Sequence, residues 1–414
     1  MKGWMEVTLG ELCTLRAGSV FKTHYQGQSE GEIPFIKVSD MNLPENQICI
    51  RKANHWVSED VRAEMKAKTF PKGTTVFAKI GEGLKQNRVR LLVRDTLIDN
   101  NMMGAMPKPD VVEPAFFFYR LSDFDIASTA TGTALPYLTV STLERSRFTI
   151  PPLSIQRQIT AILAAYDDLI ENNTRRIQIL ERMAQALYRE WFVHFRFPGH
   201  AKVKLVDSPL GGIPQGWQVV PVPEAVFVNP KTAVPKEGEK PFLPMTSLSN
   251  GFMLITDIES RQGNSGSKFK NGDTLFARIT PCLENGKTGF VQFMASEDDV
   301  AFGSTEFIVL RSRTVTPEYV YLLARSADFR GNAIKSMTGA TGRQRVQETS
   351  FNKFLIAQPG ERELAAFTEV VRPMFKLIHC LADKNANLRR TRDLLLPKLI
   401  SGTLDVAKLN IETA

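Results

Sequence analysis

The residues of this sequence that are best suited to bind a ligand lie in polar loops punctuated by glycine. The first loop is KIGEGLKQNRVR (79–90), and two more are ITPCLENGKTG (279–289) and SMTGATGRQRVQ (336–347). Arginine or lysine can recognise guanine, asparagine or glutamine can recognise adenine, and glycines bring a backbone close to phosphates. These loops predict contact with DNA, although a solvated surface is also rich in such side chains. The candidate DNA-binding residues are Lys79, Lys85, Gln86, Asn87, Arg88, Arg90 and Thr131 in the first half of the chain and Arg278, Asn285, Lys287, Thr341, Arg343, Gln344 and Arg345 in the second.

Signatures of catalysis are missing from the sequence. It has no G-x-G-x-x-G fingerprint after a strand, no Walker loop, no H-E-x-x-H motif and no Asn-Pro-Pro-aromatic tetrapeptide, and its five histidines lack metal-ligand spacing. The adjacent carboxylates Asp167 and Asp168 could suggest acid–base chemistry, but their helical position predicts that they point to water. We therefore predict no catalytic residue, no metal ligand and no cofactor bound by this chain.

The composition is compatible with an anionic partner. Lys and Arg number 52 and Asp and Glu 44, which gives a formal net charge of +8. This excess fits a polyanionic partner or an ordinary basic surface equally well. The sequence starts without the apolar core of a secretory signal, has no apolar run of about 18 residues, and its four cysteines include no C-x-x-C pair. These features predict a cytoplasmic chain without a membrane span or a disulfide framework.

The elements that must position these loops occur twice in the chain. Segments of the first half recur in the same order roughly 200 residues downstream, which indicates two copies of one module. The pairs are IPFIKVSDMN (33–42) with KPFLPMTSLSN (240–250), FPKGTTVFAKIGEG (70–83) with FKNGDTLFARITPC (269–282), VVEPAFFFYRLSDFD (111–125) with VTPEYVYLLARSADF (315–329), and ATGTALPYLTVSTLERSRFTIP (130–151) with MTGATGRQRVQETSFNKFLIAQP (337–359).

Each module is followed by a segment with the apolar spacing of a long helix. Steps of three and four residues after Pro152 and after Gly360 predict a seam that faces a partner helix, and we expect the two helices to pair antiparallel. Asn173 and Asn385 fall on this seam, where a polar residue can set the register. Two unrelated helices, each packed on its own module, are the alternative. Pro373 predicts a kink or a late start of the second helix.

The modules themselves predict an α+β fold. Short β-rich runs such as IPFIKV, TTVFAKI and RLLVRD alternate with turns, FFFYRL and YVYLLA can form short helices, and we expect one twisted sheet in each module. The predicted organisation is a first module (1–152), a helical spacer (153–197), a second module (198–359) and a second helical spacer (360–414), and the family resemblance given below makes each module a target recognition domain. Residues 195–217, rich in glycine and proline, are predicted to be a linker.

The order of module, long helix, diverged module and long helix resembles the specificity subunit of type I restriction–modification systems. The most telling segments are TGTALPYLTVSTLERSRFTIPPLSIQRQI (131–159), LYREWFVHFRFPG (187–199) and LLLPKLISGTL (394–404). They resemble the end of a target recognition domain running into its spacer helix, the central conserved region and its C-terminal counterpart. The second module departs from the first, since it lacks the Pro-Tyr-Leu of residues 136–138 and has PGERELAAF in place of PPLSIQRQI.

The resemblance implies a non-catalytic DNA-binding subunit. Each module would read one half of a bipartite, asymmetric target, and the helices would form an antiparallel coiled-coil spacer. Two adenine methyltransferase subunits and the restriction subunits, with motor and nuclease, would be the partners, and they would hold S-adenosylmethionine, ATP and Mg. A helix of about 38 residues is roughly 57 Å long, so the centre-to-centre separation of the half-sites would be at most about 17 base pairs.

Two further questions are left open by the residues. The aromatic run after the first helix could form a partner surface or pack into the junction between helix and module. The candidate partner-binding residues are Tyr188, Trp191, Phe192, Phe195, Leu395 and Leu399. The chain could also serve a methylation-only or other defence system without a nuclease, or be a protein scaffold that never binds DNA. Steeply salt-dependent binding to duplex DNA would exclude the scaffold.

Overall fold

The repeated segment forms an internal strand in both halves of the molecule: Phe77 lies in a five-stranded sheet and Phe276 in a four-stranded one. The computed structural model describes residues 3–132 and 136–406. Within these ranges the chain forms two compact units: unit 1 comprises Met1–Ile170 and Asn387–Ala414, and unit 2 comprises Glu171–Ala386. The boundary between the two units therefore crosses both predicted helices. In the predicted organisation, by contrast, each helix is a segment separate from the modules.

Unit 1 contains three antiparallel or mixed sheets and not the single predicted sheet. Their strand orders are β2-β9-β6-β7-β4, β5-β3-β8 and β1-β10. The strands are β1 (Met5–Thr8), β2 (Cys13–Ala17), β3 (Ile33–Ile36), β4 (Cys49–Ile50), β5 (Trp56–Val57), β6 (Thr75–Ala78), β7 (Val89–Leu92), β8 (Leu97–Ile98), β9 (Met102–Pro107) and β10 (Arg147–Ile150). The helices are α1 (Leu9–Leu12), α2 (Glu59–Glu64), α3 (Gly81–Lys85), α4 (Pro114–Asp123), α5 (Val140–Glu144) and the start of α6 (Leu153–Tyr188).

Unit 2 repeats this topology. Its sheets have the strand orders β14-β21-β18-β19, β16-β15-β20-β17 and β13-β22, and a hairpin, β11-β12, precedes them. The strands are β11 (Leu205–Ser208), β12 (Gly211–Pro214), β13 (Gln218–Pro221), β14 (Val226–Val228), β15 (Lys240–Leu243), β16 (Glu259–Arg261), β17 (Ser267–Lys270), β18 (Thr274–Ala277), β19 (Thr288–Phe290), β20 (Val300–Gly303), β21 (Phe307–Ser312) and β22 (Leu355–Gln358). The helices are α7 (Val222–Ala225), α8 (Pro317–Arg325), α9 (Ala327–Lys335) and α10 (Glu361–Ile400).

The register of the strands shows that the two modules are homologous. In unit 1, Phe77 of β6 pairs with Met103 of β9, and in unit 2, Phe276 of β18 pairs with Ile308 of β21. Both phenylalanines are buried, at 2% and 0% exposure. The parallel pairs β3-β8 and β15-β20 also correspond. The prediction of two copies of one module with mixed sheets and helices is therefore confirmed. The hairpin β11-β12 shows that part of the predicted linker is folded.

Each long helix contributes to both units. α6 supplies residues 153–170 to unit 1 and 171–188 to unit 2, whereas α10 supplies 361–386 to unit 2 and 387–400 to unit 1. The N-terminal half of one helix is thus grouped with the C-terminal half of the other, which is the arrangement of an antiparallel pair. The apolar seam of each half is buried in the core of its own unit, where it is shielded from water.

The two predicted seam asparagines contact each other inside unit 2. Asn173 Nδ2 donates to Asn385 Oδ1 at 3.0 Å, and both side chains are buried. Burial of one amide requires a polar partner, so this pair disfavours any shift of one helix along the other. The predicted late start of the second helix is wrong, because α10 begins at Glu361 and continues through Pro373.

Candidate nucleic-acid interface

In unit 1, the polar loop after β6 lies directly beside a second polar segment. Gly81, the first residue of α3, has a φ of 69°, a conformation in which other residues are strained. Its amide donates to the carbonyl of Pro136 at 2.9 Å, and the Leu138 amide donates to the carbonyl of Lys79 at 2.9 Å. Thr131 joins the same segment, since its amide and the Tyr137 carbonyl are 3.0 Å apart. The structure therefore brings Thr131 to the loop that carries the other candidates.

Unit 2 joins the equivalent loops in the same way. The Val346 amide donates to the carbonyl of Arg278 at 2.9 Å, and the Thr280 amide donates to the carbonyl of Gln344 at 3.1 Å. The Gln344 amide in turn donates to Thr280 Oγ1 at 3.1 Å. Loops that are about 60 residues apart in sequence thus form one polar surface, at the corresponding place of the same topology in each unit.

Five candidates of unit 1 keep a polar side chain at the surface. Lys85 and Gln86 at the end of α3 are exposed, and Lys85 forms an exposed ion pair with Glu82 at 3.2 Å. Such a pair contributes little to stability, so it can open to bind another anion. The exposed candidates are Lys85, Gln86 and Thr131, and the half-buried ones are Lys79 and Arg88.

Arg90 and Asn87 do not lie where the sequence predicts them. Arg90 is only 8% exposed, and its guanidinium donates to the carbonyls of Val89 at 2.8 Å and Met41 at 3.1 Å. Burial lowers the pKa of Arg90 to about 10, so the group stays cationic at neutral pH. Asn87 donates to the Phe124 carbonyl at 2.9 Å, and its oxygen accepts from a backbone amide at 3.0 Å. These contacts argue against a base-reading role for both residues, because the bonded side-chain atoms already serve the fold.

The arginines of unit 2 divide into paired and unpaired ones. Arg345 forks onto the Glu306 carboxylate, with Nε–oxygen distances of 3.0 and 2.9 Å, and holds the pKa of that carboxyl below its usual range. Arg278 Nη1 lies 3.0 Å from the Glu348 carboxylate. Either arginine would have to leave its carboxylate to fork onto guanine. Arg343 is exposed, and its guanidinium forms no hydrogen bond or ion pair with another described residue.

The remaining candidates of unit 2 differ in accessibility. Lys287 is half-buried and donates to the carbonyl of Met245 at 2.9 Å, so it supports the loop that carries it. Asn285 and Thr341 are exposed, and the side chain of Gln344 is half-buried. Arg343, Asn285 and Thr341 are therefore the side chains of unit 2 that are most available for base edges.

Two arginines that the sequence analysis did not select hold the loop 279–289 in place. Arg325 donates to the carbonyls of Gly286 at 2.6 Å and Gly251 at 2.8 Å, and Arg330 reaches the carbonyl of Leu283 at 3.2 Å. Gly286 has a φ of 80° and would place a Cβ 2.8 Å from a backbone oxygen. The sequence carries no signal for these contacts, because Arg325 and Arg330 lie on α8 and α9 at positions typical of solvated residues.

Buried carboxylates of α6 attach it to the modules. In unit 1, Asp167 accepts from the Tyr119 hydroxyl at 2.6 Å and from Arg392 Nη1 at 2.6 Å. In unit 2, Glu181 accepts from the Met253 amide at 2.9 Å and from the Tyr321 hydroxyl. The prediction that Asp167 points to water is wrong; its neighbour Asp168 is the exposed one. Burial raises the pKa of Glu181, which these hydrogen bonds oppose.

Most predicted partner-binding residues lie in the core. Tyr188, Trp191 and Phe192 are 6–7% exposed, and Phe192 packs edge-on against Tyr319 and Phe367 with centroids 4.9 and 4.7 Å apart. The same holds for Leu399, which is fully buried in unit 1, whereas Phe195 and Leu395 are half-buried. The structure decides between the two open alternatives: the aromatic run forms the junction of helix and module and is not a free partner surface.

The adjacent residues Phe192 and Val193 give a direct test of this assignment. We expect Phe192→Ala to lower the free energy of unfolding of unit 2 by about 3–5 kcal/mol, because a large cavity would form among aromatic rings. Val193→Ala is the control, since Val193 is 42% exposed and should change stability by about 0.5 kcal/mol or less. Urea denaturation followed by tryptophan fluorescence measures both. Equal stability of the two variants would contradict a core position for Phe192.

Other kinds of site are not found in the described ranges. Residues 3–132 and 136–406 contain no group of three or more His, Cys, Asp or Glu side chains placed to bind a metal ion. None of the helices in these ranges has both the length and the apolar character that a membrane span requires.

Comparison with known proteins shows which proteins this chain is similar to. Residues 1–182 match the family model of the type I restriction modification DNA specificity domain. The type I restriction enzyme MjaIX specificity subunit of Methanocaldococcus jannaschii is 24% identical over 99% of this chain and 95% of its own length. The chain is thus similar, over nearly its whole length, to a specificity subunit of a type I restriction–modification system. The EcoEI specificity subunit of Escherichia coli is 32% identical, over 37% of this chain and 27% of its own length.

A solved structure shows the same fold. The crystal structure of the type I restriction–modification system S subunit from M. genitalium superposes with a TM-score of 0.57 and 14% sequence identity, over 96% of each chain. The two modules and the long helices of this chain therefore share the fold of that S subunit. The polar loop surfaces of units 1 and 2 are the corresponding candidates for contact with DNA.

Proposed function

We propose that this chain recognises a bipartite, asymmetric DNA target, with one half-site read by each unit. The observation that carries the proposal is the position of the polar loops. In unit 1, the loop after β6 is hydrogen-bonded to a second loop that lies C-terminal to α4. In unit 2, the loop after β18 is hydrogen-bonded to a second loop that lies C-terminal to α8. One topology therefore presents two surfaces of different composition.

The side chains on the two surfaces support different half-sites. Unit 1 presents Lys85, Gln86 and Arg88, whereas unit 2 presents Asn285 and Arg343. Donors and acceptors of different type and spacing match different base edges in the major groove. An asymmetric target follows from this difference, since identical surfaces would read identical half-sites.

Catalysis is proposed to belong to partner subunits. Two adenine methyltransferase subunits with S-adenosylmethionine, and restriction subunits that use ATP and Mg, would be directed to the DNA by this non-catalytic chain. With the aromatic junction buried, the exposed apolar residues of α6 are the better candidates for docking a methyltransferase. Ile179 and Met183 are both 46% exposed and lie one helical turn apart on the same face.

The experiment that tests the function combines two measurements. Binding of the full chain, purified with its methyltransferase subunits, to duplex DNA should weaken steeply as salt rises. Mapping of methylated adenines in the host genome should show a motif of two short, different half-sites separated by an unspecified gap. Salt-independent binding, or methylation at a single continuous site, would contradict the proposal.

Single arginines of the two surfaces should affect different half-sites. We expect Arg343→Ala to weaken binding by about 1–3 kcal/mol and to relax base preference only in the half-site read by unit 2. Arg88→Ala should do the same only in the other half-site, so each variant is the control of the other. Competition binding with duplexes mutated in one half-site measures this. If either variant left affinity and preference unchanged at physiological salt, that residue would not belong to the interface.

A further inference from the structure

A polar cleft in unit 2 lies beside the loops of the candidate interface. It has a volume of about 350 Å³ and is lined by cationic side chains from three separate segments of the chain. Lys231 follows β14, Lys268 lies on β17 and Arg278 follows β18. Arg278 also connects the cleft to the loop 336–347, since its carbonyl accepts from the Val346 amide.

The segment that carries Lys231 is held rigidly at both ends. Asn229 has a φ of 49°, its amide donates to the carbonyl of Val309 at 2.7 Å, and its side-chain oxygen accepts from the Val309 amide at 2.9 Å. At the other end, Thr232 Oγ1 accepts from Arg311 at 2.9 Å, and Arg311 is itself held by the buried Asp273 carboxylate. Lys231 is therefore presented by a fixed backbone.

The opposite wall is shaped by a close backbone approach. Gly266 has a φ of 101°, and a Cβ at this position would lie 1.9 Å from the carbonyl oxygen of Gly303. Only glycine permits this approach, which sets the start of β17 and hence the position of Lys268. The geometry of the cleft thus depends on specific backbone contacts, which two lysines that were merely solvated would not need.

The cleft carries an excess of positive charge. The Glu348 carboxylate pairs with Arg278 at 3.0 Å and accepts from the Asn229 amide group at 2.7 Å, so it offsets one cation. The ammonium groups of Lys231 and Lys268 form no hydrogen bond or ion pair with another described residue. Two unmatched lysines on fixed backbones, facing one polar cleft, are suited to an anion with several oxygen acceptors.

We infer that this cleft binds a phosphodiester group of the DNA backbone through Lys231 and Lys268, beside the loops that read bases. The inference rests on the proposed function of those loops. Lysine binds phosphate as a point charge and carries no base preference, so the cleft would fix the position of unit 2 on the duplex and leave specificity to the loops.

The equivalent positions of unit 1 do not carry this pair of lysines, which makes the contact specific to one half of the target. Val228 pairs with Leu310 in unit 2, and Leu15 pairs with Ala105 at the equivalent place in unit 1. The residue three positions after Val228, Lys231, therefore aligns with Gly18. The matching segments FKNG and FPKG align Lys268 with Thr69. Neither position of unit 1 carries a cation.

The test compares two double variants of the full chain, purified with its methyltransferase subunits. Lys231→Ala with Lys268→Ala removes the cations of the cleft, and Lys202→Ala with Lys204→Ala removes two exposed lysines near the hairpin β11-β12. Binding to a duplex with the methylated motif and to a scrambled duplex is measured over a range of salt concentrations. We expect the cleft variant to bind both duplexes about 10-fold more weakly, with a salt slope smaller by about 2. Lys231→Arg with Lys268→Arg should retain binding.

The outcomes separate the cleft from the proposed function. If the unmodified chain binds neither duplex, the proposed function fails and the cleft with it. If it binds and the cleft variant behaves like the hairpin control, the cleft is not a phosphate site and the function stands. Loss of preference for the motif over the scrambled duplex in the cleft variant would also overturn the inference, because the lysines would then read bases. Thermal denaturation of each variant checks that unit 2 is folded.

Discussion

Replacing Asp167 with asparagine is expected to lower the free energy of unfolding of unit 1 by about 3 kcal/mol. The Asp167 carboxylate, 7% exposed, accepts from the Tyr119 hydroxyl and from Arg392, both at 2.6 Å. Asparagine keeps the shape but removes the charge, so the partly buried guanidinium loses its main counter-charge. Urea denaturation and hydrogen exchange of α4, which carries Tyr119, measure the effect.

Asp168 supplies the matched control for this prediction. It is the next residue of α6 but is exposed, so Asp168→Asn should change the free energy of unfolding by about 0.5 kcal/mol or less. Hydrogen exchange in unit 2 should be unaffected by either variant, because the contacts of Asp167 lie within unit 1. Equal effects of the two substitutions would show that Asp167 does not join helix and module as the structure indicates.

Lengthening both long helices by seven residues is expected to lengthen the gap between the half-sites by about three base pairs. Seven residues add about 10 Å of helix and nearly two full turns, which keeps the apolar seam facing the same side. The insertions belong after Ile170 in α6 and after Ala386 in α10, where the two units divide. The seam contacts Asn173–Asn385 and Asp167–Arg392 lie on either side of these points and are kept. Mapping methylated adenines in cells that carry the variant measures the gap.

Two controls make the result interpretable. The same seven residues inserted between Ser208 and Gly211, in the turn of the hairpin β11-β12, add length without extending a helix and should leave the gap unchanged. Insertion into α6 alone should abolish modification, because the two seam contacts can no longer form together. An unchanged gap in the doubly extended variant would show that the helices do not set the spacing.

The sequence predicted the elements whose signals are local or periodic. The duplicated framework around Phe77 and Phe276 was visible because a buried strand tolerates few side chains, so two copies keep the same pattern. The seam that contains Asn173 and Asn385 was visible because a helix repeats its apolar face at regular steps. Of the two effects predicted for Pro373, a kink or a late start of the helix, the late start is wrong, since a proline in a well-packed helix costs one backbone hydrogen bond that tertiary contacts can offset.

Burial of individual polar and aromatic residues could not be predicted in the same way. Arg90 and Arg88 stand two residues apart in one polar loop, yet Arg90 is buried against the carbonyl of Met41. Phe192 and Val193 are adjacent, and only Val193 is well exposed. In each case the outcome depends on a segment far away in the chain, and a pattern of neighbours carries no information about that segment.

By itself, the sequence determined the duplication, the two long helices and the polar loops, because these depend on residue types at short, regular spacing. The tertiary structure alone decided which charges are available. It tied Arg345 to Glu306, buried Asp167 between Tyr119 and Arg392, and left Arg343 exposed. The physical reason is that the environment of a charge is set by the atoms around it in space, which the fold of the whole module brings together.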